Sequence, residues 1–232
     1  MNSANLPAPV LVILDGNNLS YSVAKYDAVD PNHRHDCLLA MLRGVSRLLG
    51  LDGLMAPGRV VCVWDSGLAP WRKAIFPGYK AQRAERTASE SAEDALRRDQ
   101  RYIDIKAFRY SLLPWLGVDQ MYCGGPAEGD DLILLAINQL VAAEHYKSVL
   151  IVSGDGDLDQ LITPQREPRL DSPVPDVGIY RVAPGDLYKA YQHVTCRTGA
   201  DVVAKHGVWP EDYVGVKAII GDHSDKDRKS VV

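Results

Sequence analysis

Only four cysteines stand in the 232 residues, Cys37, Cys62, Cys123 and Cys196, and no two of them form a C-x-x-C pair. That spacing argues against a zinc site and provides no disulfide framework, so a reducing compartment is expected. Cys62 and Cys123 lie in strand-like runs and read as small buried hydrophobes. No apolar stretch approaches the ~18 residues that span a bilayer. The segment from Met1 to Pro9 has neither a basic start nor a long apolar core, which is not the pattern of a signal peptide. Cationic excess is also missing: 26 basic against 30 acidic side chains give a formal net charge of −4, unlike a basic nucleic-acid coat. The phosphate-cradling pattern G-x-x-x-x-G-K-[ST] does not occur. No internal repeat is visible, and 19 glycines with 14 prolines are too few for low complexity.

What is present is ordinary globular usage, 46% hydrophobic and 24% charged, in a chain long enough for one domain with an insertion. Val10 to Leu14, Arg59 to Trp64 and Val149 to Ser153 are short continuous apolar runs, the pattern of strands buried on both faces. Val118 to Cys123 is a weaker strand, and Val177 to Val182 an edge strand. Helical spacing marks Asp36 to Leu51, Gly129 to Ala143, Ala200 to His206 and Glu211 to Ile220, with a turn at Gly124 and Gly125. Strands alternating with helices predict an α/β fold, a mostly parallel sheet flanked by helices.

Three of these strands run into turns that carry an aspartate: Asp15, Asp65 and Asp155. In open α/β sheets ligands bind beyond the carboxyl ends of the strands, so three parallel neighbours would bring these carboxylates to one crevice. Aspartate is also common in turns and caps, which is the plain alternative for each one alone. Glu128, Asp130 and Asp131 precede or open an apolar helix, where they also suit its positive end. Asp157 follows Asp155 by two and could cap the segment from Leu158 to Ile162, while Asp222 and Asp225 follow the last helix. Nine such carboxylates would repel one another if close. Oxygen-only donors select hard divalent ions such as Mg²⁺ or Mn²⁺, and two ions roughly 3.5–4 Å apart can activate water on a phosphodiester. Without the nine, 26 basic residues face 21 acidic ones. His33, His35 and His145 lie in polar contexts and read as surface residues.

From Pro70 to Ile105 the chain turns polar, an insertion read as solvent-facing and partly helical. Arg72 to Arg109 holds ten basic residues (Arg72, Lys73, Lys80, Arg83, Arg86, Arg97, Arg98, Arg101, Lys106 and Arg109) against six acidic ones. That local excess suits phosphates, although a solvated mixed-charge helix looks the same.

Five motifs in order carry a resemblance: DGNNL at Asp15, FPGYKAQR from Phe76 to Arg83, GPAEGDD ending at Asp131, SGDGDLDQL from Ser153 to Leu161 and KAIIGDHSD ending at Asp225. Over about residues 10–225 the chain resembles the 5′-nucleases, the flap endonuclease and 5′-3′ exonuclease family of bacteriophages that includes the N-terminal domain of bacterial DNA polymerase I. The resemblance implies a PIN-like core and two-metal hydrolysis near 5′ ends or flaps of DNA, with Mg²⁺ as cofactor and Mn²⁺ as substitute. It implies a tighter ion at Asp15, Asp65, Glu128 and Asp130, with Asp131 close by, and a looser one at Asp155, Asp157, Asp222 and Asp225. Lys80 and Arg83 match the basic pair at the foot of the family's helical arch, and at (i, i+3) they are expected to share a helix face and meet the scissile phosphate. Arg83 to Ile105 would form the arch itself, and Tyr21, Tyr79 and Arg86 join Lys80 and Arg83 as nucleic-acid contacts.

After GDHSD the resemblance lapses. Lys226 replaces the family's Asn, and KDRKSVV follows where the family has a Gly-rich helix-hairpin-helix element that grips duplex. One catalytic domain over 1–232 is expected, in the cytoplasm of a bacterium or a phage-infected cell, with the duplex grip supplied elsewhere or by replication proteins. A non-catalytic protein that binds branched nucleic acid is the alternative. A PIN-like ribonuclease, with RNA as substrate, fits the YKAQR and GDHSD motifs less well. A haloacid-dehalogenase phosphatase needs Asp-x-Asp at the first strand end, but Ile13 stands two residues before Asp15.

Overall fold

The computed structural model describes residues 10–22, 36–48, 58–65, 67, 69–81, 87–123, 125, 127–144, 146, 148–163, 178–183 and 196–220. Strands β1 (Val10–Asp15), β2 (Arg59–Trp64), β3 (Asp119–Tyr122), β4 (Ser148–Val152) and β5 (Gly178–Val182) form one sheet in the order β3-β2-β1-β4-β5. Every pairing is parallel. Two central strands, β1 and β4, are buried along almost their whole length, which is why their sequences are continuous apolar runs. The order reverses direction between β1 and β4, so the ligand-binding switch point of this doubly wound sheet lies between Asp15 and the residues after Val152.

Alternation sorts the strand residues into two cores. Val10, Val12, Leu14, Cys62, Trp64, Leu150 and Val152 point to one face, where Leu19 of α1 (Gly16–Ser22) and Met41 and Val45 of α2 (Asp36–Leu48) cover them. Phe108 and Leu113 complete that layer. On the other face Leu11, Ile13, Val61, Val63, Val149 and Ile151 meet α5 (Gly129–Glu144), whose inward stripe is Leu132, Ile133, Ala136, Ile137 and Val141. Gly16 passes so close to Trp64 that an added Cβ would lie 2.7 Å from the indole ring, which no side chain tolerates.

The polar insertion is partly helical, as expected: α3 (Pro70–Ile75) and α4 (Ala92–Ala107), the latter capped by Ser91. A π-helical turn, Phe108–Leu112, ends it. α6 (Gly199–His206) opens with a capping box from Thr198 and Asp201, and α7 (Tyr213–Ile220) follows a 3₁₀ turn at Pro210–Asp212 rather than running as one helix from Glu211. Cys62 is buried, whereas Cys123 lies just past β3 and is partly exposed, because the edge strand ends at Tyr122. No helix among the described residues is long and apolar enough to cross a membrane.

Edge strand β5 is fastened to the sheet by charge. The Arg181 Nε donates to Asp159 Oδ1 at 2.6 Å, and its Nη1 donates to the Ser153 carbonyl at 2.7 Å. Arg197 Nη1 reaches the other Asp159 oxygen at 2.8 Å. Asp159 is fully buried, so its charge depends on these partners. Replacing Arg181 by Met should cost about 3–5 kcal/mol in urea unfolding, the penalty of stranding a buried carboxylate; an unchanged midpoint would show that the pair is not a structural tie.

Candidate active site

β1 and β4 lie side by side, and the turns that follow them are knitted together. Asp15 Oδ1 accepts the Asn18 N–H at 2.9 Å, and its Oδ2 accepts the Ser153 hydroxyl at 2.8 Å. Asn18 Oδ1 in turn accepts the Gly154 N–H at 2.7 Å. Ser153 Oγ accepts the Asp155 N–H at 3.0 Å, and Asp155 Oδ1 accepts the Asp157 N–H at 2.9 Å. Asp155 is therefore the cap of the short 3₁₀ turn Gly156–Leu161, the role first expected of Asp157. Asp157 instead pairs with Lys217 of α7.

Asp65 leaves β2 against the start of α5: a Cβ on Gly129 would lie 3.7 Å from the Asp65 Cβ. Its Oδ1 accepts the Gly67 N–H at 3.0 Å. Asp130, in the first turn of α5, faces the same crevice. Burial pushes its carboxyl up to about 7, and the charges of Asp155, Asp15 and Asp157 push the same way, with Lys80 opposing. Asp15 is also raised, first by burial and then by Asp155 and Asp65, against the lowering effect of its bonds from Asn18 and Ser153. Carboxylates from β1, β2, β4 and α5 thus share one field. Among the described residues no three acids, histidines or cysteines are already drawn together as a closed set of metal ligands. The donors are nonetheless all oxygen and mutually repelling, which fits a hard divalent cation.

Glu128 and Asp131 behave differently. Glu128 is only 3% exposed, and its oxygens are taken. Oε1 accepts the Ala69 N–H at 3.1 Å; Oε2 accepts the Tyr79 hydroxyl at 2.9 Å and Lys80 Nζ at 2.7 Å, and pairs with Arg72 Nη1 at 2.9 Å. Burial pushes Glu128 up, but the bonds from Lys80, Ala69 and Tyr79 outweigh it and hold the carboxyl below its ordinary value. Asp131 accepts Arg72 Nη2 at 2.7 Å and the Glu128 N–H at 3.0 Å.

Lys80 does not sit on a helix face. It ends a turn over residues 77–80 with φ of 54°, a left-handed backbone that is costly for a residue with a side chain and gathers at functional sites. Tyr21, on α1, is 61% exposed, with the Arg101 guanidinium 5.8 Å from its ring centre. Arg83, Arg86, Asp222, Asp225, His33, His35 and His145 lie outside the described residues. Sequence reasoning passed over Asn18, Ser153, Arg72, Asp159, Arg181 and Lys217. Asn18 and Ser153 stand inside the DGNNL and SGDGDLDQL motifs, so polar residues flanking the acids were the available signal. Arg72 belongs to the basic excess of the insertion and Lys217 opens the KAIIGDHSD motif, but they and Arg181 are distant in sequence from the acids they serve, so nothing local tied them to those partners.

Fold and site together define a doubly wound α/β domain with an oxygen-donor crevice at its switch point and cations alongside, an arrangement suited to phosphate esters. Residues 10–181 match the 5′-3′ exonuclease N-terminal, resolvase-like domain, and the chain belongs to that family. DNA polymerase I of Mycobacterium leprae is 29% identical over 222 residues, covering 94% of this chain and 21% of that protein. The flap endonuclease Xni of Tolumonas auensis is 31% identical over 160 residues, 66% of this chain and 54% of the relative. A solved complex of the bacteriophage T5 flap endonuclease with DNA and metal ions shares the fold, with a TM-score of 0.66 at 21% identity over 92% of this chain and 66% of that one. The chain thus spans about a fifth of the polymerase and half of the endonuclease relative.

The crevice makes stability depend on pH. In the unfolded chain Asp130 loses its proton near 3.8, and in the folded chain near about 7, so the folded state holds the proton more tightly between these values. The stability gained from this proton is full at low pH and lost as pH rises through about 7. Asp130→Asn should therefore stabilise the metal-free chain at pH 8 by about 2 kcal/mol, or at least about 4 °C in melting temperature. The gain should shrink below pH 6, and added Mn²⁺ should narrow it. A melting temperature that falls in the variant at pH 8 would contradict the repulsion.

Proposed function

We propose that this chain hydrolyses phosphodiester bonds near the 5′ ends or flaps of DNA, using two divalent cations, Mg²⁺ with Mn²⁺ as substitute. The observation that supports this most directly is the gathering of Asp130 with Asp15, Asp155 and Asp157 at the switch point of a 5′-3′ exonuclease family domain. Asp15, Asp130 and Asp155, with Asp65 and Asp157 beside them, would hold the ions. Bound there, the cations would supply an activated water and would offset the charge of the phosphodiester oxygens.

The chain's own residues do the rest. The Asn18 and Ser153 bonds fix both oxygens of Asp15, so its position does not depend on the ligand. Lys80, resting on Glu128 and close enough to lower Asp130, stands beside the crevice with its donors able to meet a phosphate charge. Arg72 pins Glu128 and Asp131 and so keeps the base of the insertion against α5. Arg83, Asp222 and Asp225 complete the set that the family resemblance implies. Such an enzyme works in the cytoplasm, where DNA is copied and repaired.

The test is cleavage of a 5′-labelled flap with Mg²⁺. Asp155→Asn should abolish product, and Lys80→Ala should lower the rate at saturating substrate about 10²–10³-fold with little change in flap affinity. Equal rates in the wild type and Asp155→Asn would refute the assignment. Tight flap binding with no turnover in any divalent metal would favour the binding-protein alternative.

A further inference from the structure

Away from the acids, on the opposite face of the sheet from α5, an arginine sits among three aromatic rings. The Arg109 guanidinium carbon is 5.0 Å from the ring centre of Trp64, 5.1 Å from that of Tyr110 and 5.2 Å from that of Tyr122. Trp64 is buried, but Tyr110 and Tyr122 are 63% and 65% exposed. A ring that is paired with a cation yet left open to water gives up apolar burial, and two such rings at one place ask for an explanation.

The arrangement is held rigidly. Trp64 Nε1 donates to Gln120 Oε1 at 2.9 Å, and Gln120 Nε2 donates to the Arg109 carbonyl at 2.9 Å. The backbone at Arg109 belongs to the π-helical turn, a departure from regular helix that shifts the direction of the side chains following it and recurs at functional sites. Among the described residues Arg109 forms no ion pair: Asp119, the acid on β3, is paired with Arg59, and Asp104 is buried one turn back in α4. Lys106, with its amine 5.7 Å from the ring centre of exposed Tyr102, extends the same combination of cation and open ring along the helix.

The location fits the crevice. Tyr122 pairs in register with Trp64, the residue before Asp65, and Asp15 pairs with Val63. Tyr122 therefore stands two strand spacings, about 10 Å, from the strand that carries Asp15, at the same carboxyl edge of the sheet.

We infer that Arg109, Tyr110 and Tyr122 form a stacking platform for bases of a single-stranded nucleic-acid segment a few nucleotides from the bond that is cut. Exposed ring faces receive unpaired bases of any sequence, and a cation without a carboxylate partner meets the backbone charge. A duplex offers no such free base faces, so the platform discriminates in favour of single strand. The inference rests on the nuclease reading above and adds a binding site for the substrate.

The test uses the full chain in EDTA with hairpins that carry a 5′ or 3′ single-stranded arm and 2-aminopurine scanned along it, beside a blunt hairpin. The wild type should quench 2-aminopurine at one or two positions of an arm. Tyr110→Ala with Tyr122→Ala should abolish that quenching and weaken arm binding about tenfold, without changing blunt-hairpin binding or the melting temperature. The paired Phe variants should keep both. Arg109→Met should lower the salt dependence of arm binding by about one unit of slope. Unchanged quenching in the double alanine variant, or an equal loss for arm and blunt hairpins, overturns the platform. If the wild type cuts flaps and these variants bind like it, only the platform fails; if the wild type binds no DNA at all, both readings fail.

Discussion

Mutual repulsion of carboxylates is the constraint around which this molecule is arranged. The order β3-β2-β1-β4-β5 and its parallel pairing bring the ends of β1, β2 and β4 to one edge, and α5 starts at the same place. An apolar sheet buried on both faces can bear such a concentration of charge only at its rim, where the strands stop. Burial and neighbouring charges then hold Asp130 near about 7. Like charges that repel one another at such a rim become favourable once a divalent cation sits between them.

Four further acids among the described residues are neutralised from within. Glu128 and Asp131 are answered by Arg72 and Lys80, Asp157 by Lys217, and Asp159 by Arg181 and Arg197. Through these pairs Arg72 and Lys80 hold the insertion, Lys217 holds α7 and Arg181 holds β5. Asp15, among the described residues, is met instead by the Asn18 N–H and the Ser153 hydroxyl. The strained turn at Lys80 joins the two groups, because that one amine neutralises Glu128 and also bears on Asp130.

Much of the scaffold could be read from the sequence because its signals are local. The runs at Val10, Arg59 and Val149 are continuous because both faces of those strands are covered, and an aspartate closing each run follows from the strand ending at the crevice. The inward stripe of α5 is equally local. What escaped depended on partners far apart in the chain. Asp155 rather than Asp157 caps the 3₁₀ turn because Ser153 orients its backbone toward Asp15, and nothing in the spacing distinguishes the two. Lys80 looked helical at (i, i+3) from Arg83, but pairing with Glu128, 48 residues away, accompanies a left-handed turn that propensity alone does not suggest. The rings around Arg109 come from β2, β3 and the π-helical turn, so no single stretch of sequence displays them.

The central claim, that carboxylates repel one another in this crevice and that a divalent cation relieves the repulsion, is tested most directly by calorimetric titration of Mn²⁺ at pH 7 in buffers of different ionisation enthalpy. With Asp130 near about 7, saturable binding should release about half a proton, vanishing near pH 9 and absent in Asp130→Asn. Binding at pH 7 without proton release, or no binding at all, would contradict it.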